Sequence, residues 1–233
     1  MYTIRQLLAE AIGTFFLCFA GIGAIVSTEA PISSGAGLLG IALAHGLALS
    51  IAVSIFAGIS GSHFNPAVTI GFLSTGRISA PLAAMYIIAQ LIGATLAAAA
   101  CNYIFPEDSV NAAKLGIPLP GAWVDWPILL VTEFILTFLL MIAIFGTAVD
   151  ERAAPMKLGG FAIGLTVAFD ILCAGKVTGA SMNPARSFGP ALVHNHFEWH
   201  HWYWVAPIAG AVVAALLYHH VLLEPAESKI EKQ

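Results

Sequence analysis

Two copies of the tripeptide Asn-Pro-Ala stand at Asn65-Pro66-Ala67 and Asn183-Pro184-Ala185, each opening a short apolar segment, 66–75 and 184–194. Asn is a strong helix N-cap, and Pro suits the first helical position because an N–H there has no intrahelical partner. About ten residues at about 1.5 Å rise reach only half of a hydrocarbon core of about 30 Å. The segments therefore read as re-entrant half-helices capped by Asn65 and Asn183. The chemistry on offer is not bond making. A helix N-terminus presents roughly half a positive charge and spare N–H donors, which repel cations yet hydrogen-bond a neutral polar molecule.

The elements that hold these boxes follow from composition. Only 9% of the 233 residues are charged, nine Lys and Arg against thirteen Asp and Glu, while 59% are apolar; an ordinary soluble domain carries about 25% charged residues. Mean hydropathy is +0.88. Such a chain must face hydrocarbon over most of its surface, which excludes a soluble enzyme, a disordered tail or a nucleic-acid binder. Six stretches are long and apolar enough to span, roughly 5–27, 35–58, 79–104, 126–149, 157–175 and 202–223. The first is longer than a signal-peptide core and carries Glu10, so it is read as a span. The fold class is thus an all-α membrane protein of six transmembrane helices and two half-helices.

Arg5, Arg77, Arg152, Lys157, Lys229 and Lys232 fall on one side of these spans, with Lys114, Lys176 and Arg186 on the other. That asymmetry predicts both termini in the cytoplasm. The three cysteines, Cys18, Cys101 and Cys173, sit in apolar stretches and suggest neither a disulfide framework nor a CxxC metal site.

Segments 46–67 and 164–185 align at Gly, Leu, Gly and Asn-Pro-Ala, and Glu10 corresponds to Glu133. The chain is therefore one transmembrane domain, 1–233, made of two repeats, about 5–104 and 126–223, with a short cytoplasmic tail expected over 224–233. Three spans per half is odd, so the halves are inverted and both boxes meet near the midplane.

The contexts SGSHFNPAVT and TGASMNPARSFGPA, together with this repeat, resemble the aquaporin (major intrinsic protein) family over residues 5–223. The resemblance implies a homotetramer with one pore per protomer and passive passage of water or small neutral solutes; the paired helix dipoles and Arg186 are expected to exclude ions and protons, and no cofactor or metal is expected. It places the constriction at His45, Ile171, Ala180 and Arg186, and His63 in the pore lining. Glu10 and Glu133 then support the re-entrant loops by accepting their backbone hydrogen bonds, in preference to relaying protons. Strictly water-selective animal members resemble a Phe and His pattern where this chain has His45 and Ile171. The combination is similar to plant tonoplast intrinsic proteins and their relatives that pass ammonia and hydrogen peroxide. Glycerol is disfavoured as main substrate, because Ser187 follows Arg186 and Ala191, Tyr203 and Trp204 match the water-channel choices. Partners are water, small neutral solutes and lipid, most simply at the plasma membrane, with no nucleic acid.

Other residues invite competing readings. His194, His196, His200 and His201, with Glu198, have spacings that suit a divalent metal or a pH gate, but in a hydrated loop they read as polar interface residues. Asp170 needs a partner, for which Lys176 is the candidate. Ala180 replaces the family's frequent pore Cys and Cys173 faces away from Ile171, so mercurial block is expected to be weak. Gly58-Ile59-Ser60-Gly61 matches the GxSG of rhomboid proteases, though Ser60 lies on the wrong span. A secondary transporter also uses inverted repeats and broken helices, but it needs coupling carboxylates along the pathway.

Overall fold

The computed structural model describes residues 4–29, 35, 37–152 and 159–223. The tail over 224–233, with Lys229 and Lys232, lies outside the described residues, as do Lys157 and the start of the fifth predicted span. The described residues are helical, in the order α1 (Ile4–Glu29), α2 (Gly37–Ser60), α3 (Pro66–Ser74), α4 (Ala80–Ile104), α5 (Glu107–Ala112), α6 (Trp126–Ile144), α7 (Gly159–Ala174), α8 (Pro184–Val193) and α9 (Trp202–Leu217). A 3₁₀ turn, Lys114–Gly116, follows α5, and π turns extend α6 over Phe145–Val149 and α9 over Tyr218–Leu222. Among the described residues, five helices have the length and apolarity to cross a bilayer, counting the π turns of α6 and α9, while the described part of α7 is shorter.

The helix ends are set by local chemistry. Ser79-Ala80-Pro81 and Asp125-Trp126-Pro127 each put Pro in the first turn, and the Asp125 carboxylate accepts from Ile128 N at 3.2 Å. α5 and its 3₁₀ turn occupy the Pro- and Gly-rich connection over 105–125, which the sequence presented only as a loop.

The molecule presents apolar side chains outward and buries a set of polar and charged ones among its apolar core. Leu8, Ile12, Phe16 and Phe19 form an exposed stripe on α1, as do Leu43, Leu47, Ile51 and Ile55 on α2. Glu10, Gln90, Glu133, Asn183 and Arg186 are buried. That inversion suits lipid, where polar groups must find partners within the protein. Two inverted halves pack by the same contacts: α1 lies against α2 and α4, and α6 against α7 and α9. The halves join where α2 crosses α7. A Cβ on Gly46 would lie 2.6 Å from Gly164 O, and one on Gly164 would lie 2.2 Å from Gly46 O, so only glycine permits this approach.

At the end of the bundle bearing Arg77, the chain after α6 is tied to the end of α9. Asp150 accepts from Arg152 N and Nε, both at 2.9 Å, and from Tyr218 Oη at 3.0 Å. Arg152 Nη2 donates to Leu222 O at 2.7 Å.

Candidate functional site

Asn65 and Asn183 cap α3 and α8 as their sequence dictates. Asn65 Oδ1 accepts from Ala67 N at 2.8 Å, and Asn183 Oδ1 accepts from Ala185 N at 3.0 Å and Arg186 N at 3.3 Å. Each Asn also spans to the other half: Asn65 Nδ2 donates to Met182 O at 2.8 Å and Asn183 Nδ2 to Phe64 O at 2.9 Å. Two half-helices are thereby fastened N-terminus to N-terminus. One amide N–H of each Asn is committed to the bridge, leaving the second for a passing molecule.

The loops before the boxes share a backbone pattern. Gly61, Ser62 and Phe64 have positive φ, and so do their counterparts Gly179, Ala180 and Met182. Each non-glycine residue held there costs about 1–3 kcal/mol and persists only where its surroundings enforce it. Buried carboxylates supply that enforcement. Glu10 Oε1 accepts from His63 N at 3.0 Å and Ser60 Oγ at 2.6 Å, while Oε2 accepts from Phe64 N at 2.7 Å and Gln90 Nε2 at 2.8 Å. Glu133 repeats the scheme with Ser181 N at 2.9 Å, Thr178 Oγ1 at 2.7 Å and Met182 N at 2.8 Å. Tyr86 Oη and Tyr203 Oη donate to Ser60 O and Thr178 O at 2.8 and 2.6 Å. Ser60 is thus engaged by Glu10, and no histidine bonds to its hydroxyl among the described residues.

A cavity extends past Asn65, Asn183 and His63, with Ile144, Ala148 and Phe72 toward one end and His45, Ile171, Ala180 and Arg186 toward the other. His63 Nδ1 lies 3.1 Å from Thr69 Oγ1, and its ring stacks on Phe72 at 4.5 Å between centroids. A second cavity opens beyond that other end as a vestibule lined by Glu29, Gly116 and Lys176. His45, Ile171 and Arg186 line both spaces, so they form the neck between them. All four residues expected at the constriction, Ala180 included, line the first cavity.

Arg186 is 3% exposed and fixed by Nη1 donating to Gly116 O at 2.7 Å. Sequence reasoning missed Gly116. Its only signal was Leu115-Gly116 within the long connection, where Leu115 is fully buried and Gly116 has φ of 69° and lies close to Ile22 and Ile25 of α1.

Asp170 departs from expectation. Neither of its carboxyl oxygens has a hydrogen-bond partner, so the expected pair with Lys176 is absent. Asp170 is fully buried within α7, whereas Lys176 lies beyond the helix end among the exposed vestibule residues. Cys173 is exposed on α7 and does not line either cavity.

The histidine group after α8 is engaged with its own neighbours. His196 Nε2 lies 3.7 Å from Glu198, and His200 Nε2 accepts from Trp204 Nε1 at 3.0 Å. Burial and the adjacent His201 hold His200 below the ordinary imidazole range. No three His, Cys, Asp or Glu side chains converge as metal ligands among the described residues.

Comparison with known proteins agrees with this architecture. The family described as major intrinsic protein matches residues 1–218. Aquaporin TIP4-4 of Zea mays is 42% identical over 221 residues, covering 92% of this chain and 85% of the relative. Aquaporin AqpM of Methanothermobacter thermautotrophicus is 42% identical over 248 residues, covering 94% and 98%. An X-ray structure of the aquaglyceroporin from Plasmodium falciparum superposes with a TM-score of 0.82 at 24% identity, covering 94% of this chain and 96% of that one, which speaks to the fold. With the family matched over nearly its whole length, this chain is an integral membrane protein that belongs to the major intrinsic protein family.

Proposed function

We propose that this member of a channel family conducts water down osmotic gradients and excludes ions and protons. The observation that carries the proposal is the facing pair of capped half-helices beside a cavity, with Arg186 in its neck. Two helix N-termini place about half a positive charge each at mid-pore, and Arg186 adds a full one. A cation must shed water against that field, whereas a neutral molecule accepts hydrogen bonds from the uncommitted amides of Asn65 and Asn183 and from Arg186. A water bound to two such donors points both lone pairs at the protein, which removes it as an acceptor for a proton hopping along the file.

His45, Ile171, Ala180 and Arg186 set selectivity in this reading, and Glu10 and Glu133 hold the loops. Orientation follows from Arg77 and Arg152, which sit at the end opposite the vestibule; that end is cytoplasmic, with the vestibule extracellular, at the plasma membrane. Assembly as a homotetramer in the bilayer rests on membership of the family. The aquaporin names of the similar proteins support a water or small-solute channel over a carrier or an enzyme.

A broader substrate range has its own support: the neck holds an imidazole and an aliphatic side chain, and His45 lies back against α1. Ammonia and hydrogen peroxide are the neutral solutes of suitable size. Vesicles loaded with a pH-sensitive dye test the exclusion. Under a membrane potential that drives protons inward, protein-containing and empty vesicles are expected to acidify equally; faster acidification with the protein would sink the exclusion claim.

A further inference from the structure

The face of α1 toward the pore reads Gly13, Leu17 and Gly21, spaced by four residues, with Leu17 in the cavity wall. Both glycines are notches for rings. A Cβ on Gly13 would lie 2.0 Å from the Phe64 ring, just before the first box. A Cβ on Gly21 would lie 2.1 Å from Nε2 of His45 and 2.5 Å from both Cδ2 and Cε1. The imidazole therefore occupies the space that any side chain at 21 would take. It is held there from its own helix by Nδ1 lying 2.8 Å from Ile41 O, which acts as acceptor, and is only 3% exposed.

The inverted half shows what the notch changes. Aligning Glu10 with Glu133 pairs Gly21 with Ile144, and aligning the boxes pairs His45 with Ile163. Ile144 and Ile163 both line the cavity. The same place in the pseudo-symmetric fold holds two bulky aliphatic side chains at one end, and a glycine with an imidazole seated on it at the neck.

We propose that Gly21 is a specificity-determining position of the neck: by carrying no side chain it lets the His45 ring withdraw toward α1, and so admits neutral solutes larger than water. This rests on the channel reading above. A methyl group at 21 must drive the ring toward Ile171 and Arg186, because α1 backbone lies behind it.

The test compares wild type, Gly21→Ala, His45→Ala and the Gly21→Ala/His45→Ala double variant in proteoliposomes. Water is followed by osmotic shrinkage, and hydrogen peroxide by an entrapped peroxide-sensitive dye. Gly21→Ala is expected to lower peroxide entry about tenfold, equivalent to about 1.4 kcal/mol on the barrier at the neck, with a smaller loss of water flux. The double variant is expected to conduct like His45→Ala, since the ring that clashes is gone. That comparison also serves if Gly21→Ala alone does not fold. Wild-type vesicles no leakier than empty ones would overturn the channel reading and this role with it. A conducting wild type matched by Gly21→Ala would overturn the role of Gly21 alone. So would a double variant as blocked or misfolded as Gly21→Ala, because the damage would then not pass through His45.

Discussion

Arg186 is the residue on which selectivity turns in this account, and it is held by a backbone carbonyl rather than a carboxylate. Gly116 O fixes Nη1, leaving the guanidinium its charge at the neck instead of neutralising it in an ion pair. Arg186→Val is therefore expected to widen the neck and remove the charge, raising urea and glycerol entry into vesicles; unchanged fluxes would take Arg186 out of the filter. Glu133 carries a different kind of weight. Glu133→Ala strands Ser181 N and Met182 N in the interior, each orphaned donor costing about 1–3 kcal/mol. Thermal unfolding in detergent should show a large loss, and a variant within about 0.5 kcal/mol of wild type would mean the loop holds its shape unaided. Cys173 is exposed on α7 away from both cavities, with Cys18 and Cys101 buried, so mercurials are expected to block weakly. Strong reversible inhibition that Cys173→Ser abolishes would contradict that placement.

Among the elements, the half-helices were legible because a capping Asn and a first-turn Pro act locally, within a few residues of chain. The spans were legible because length and apolarity decide them: α2 is Gly37–Ser60 where 35–58 was expected. What escaped was long-range. α5 and the turn that delivers Gly116 have no periodicity to show, and their shape depends on Leu115 packing against the distant α1 and α4. Asp170 was given a partner by proximity in sequence, yet helix geometry turns it inward and leaves Lys176 outside. The tie between the chain after α6 and the end of α9 was equally unreadable, since Asp150, Arg152 and Tyr218 meet only in space. Arg152 holds the Asp150 carboxyl well below the usual carboxylate range. A depressed folded value means the stabilisation is fully present above the unfolded value of about 3.9 and is lost only as pH falls through the lower folded one. Because Arg152 is half exposed, Asp150→Asn is expected to cost only about 1 kcal/mol. That difference from wild type should stay constant from about pH 7 to about pH 5 and shrink only below about pH 4. A difference that vanishes near neutrality would show that the tie does not depend on this charge.

At the scale of the whole molecule, duplication explains why so much polar chemistry survives inside an apolar bundle. Each half supplies one carboxylate, one tyrosine, one left-handed loop and one capped half-helix, and inversion brings the two sets face to face. The repeat was visible in sequence, and with it the meeting of the boxes. The symmetry is broken at the neck and at its counterpart, where Gly21 and His45 stand against Ile144 and Ile163. The most direct test of a water pore built this way is stopped-flow light scattering of proteoliposomes under a sucrose gradient. Shrinkage much faster than that of empty liposomes is expected. Shrinkage at the lipid rate, from protein shown to be folded and inserted, would contradict it.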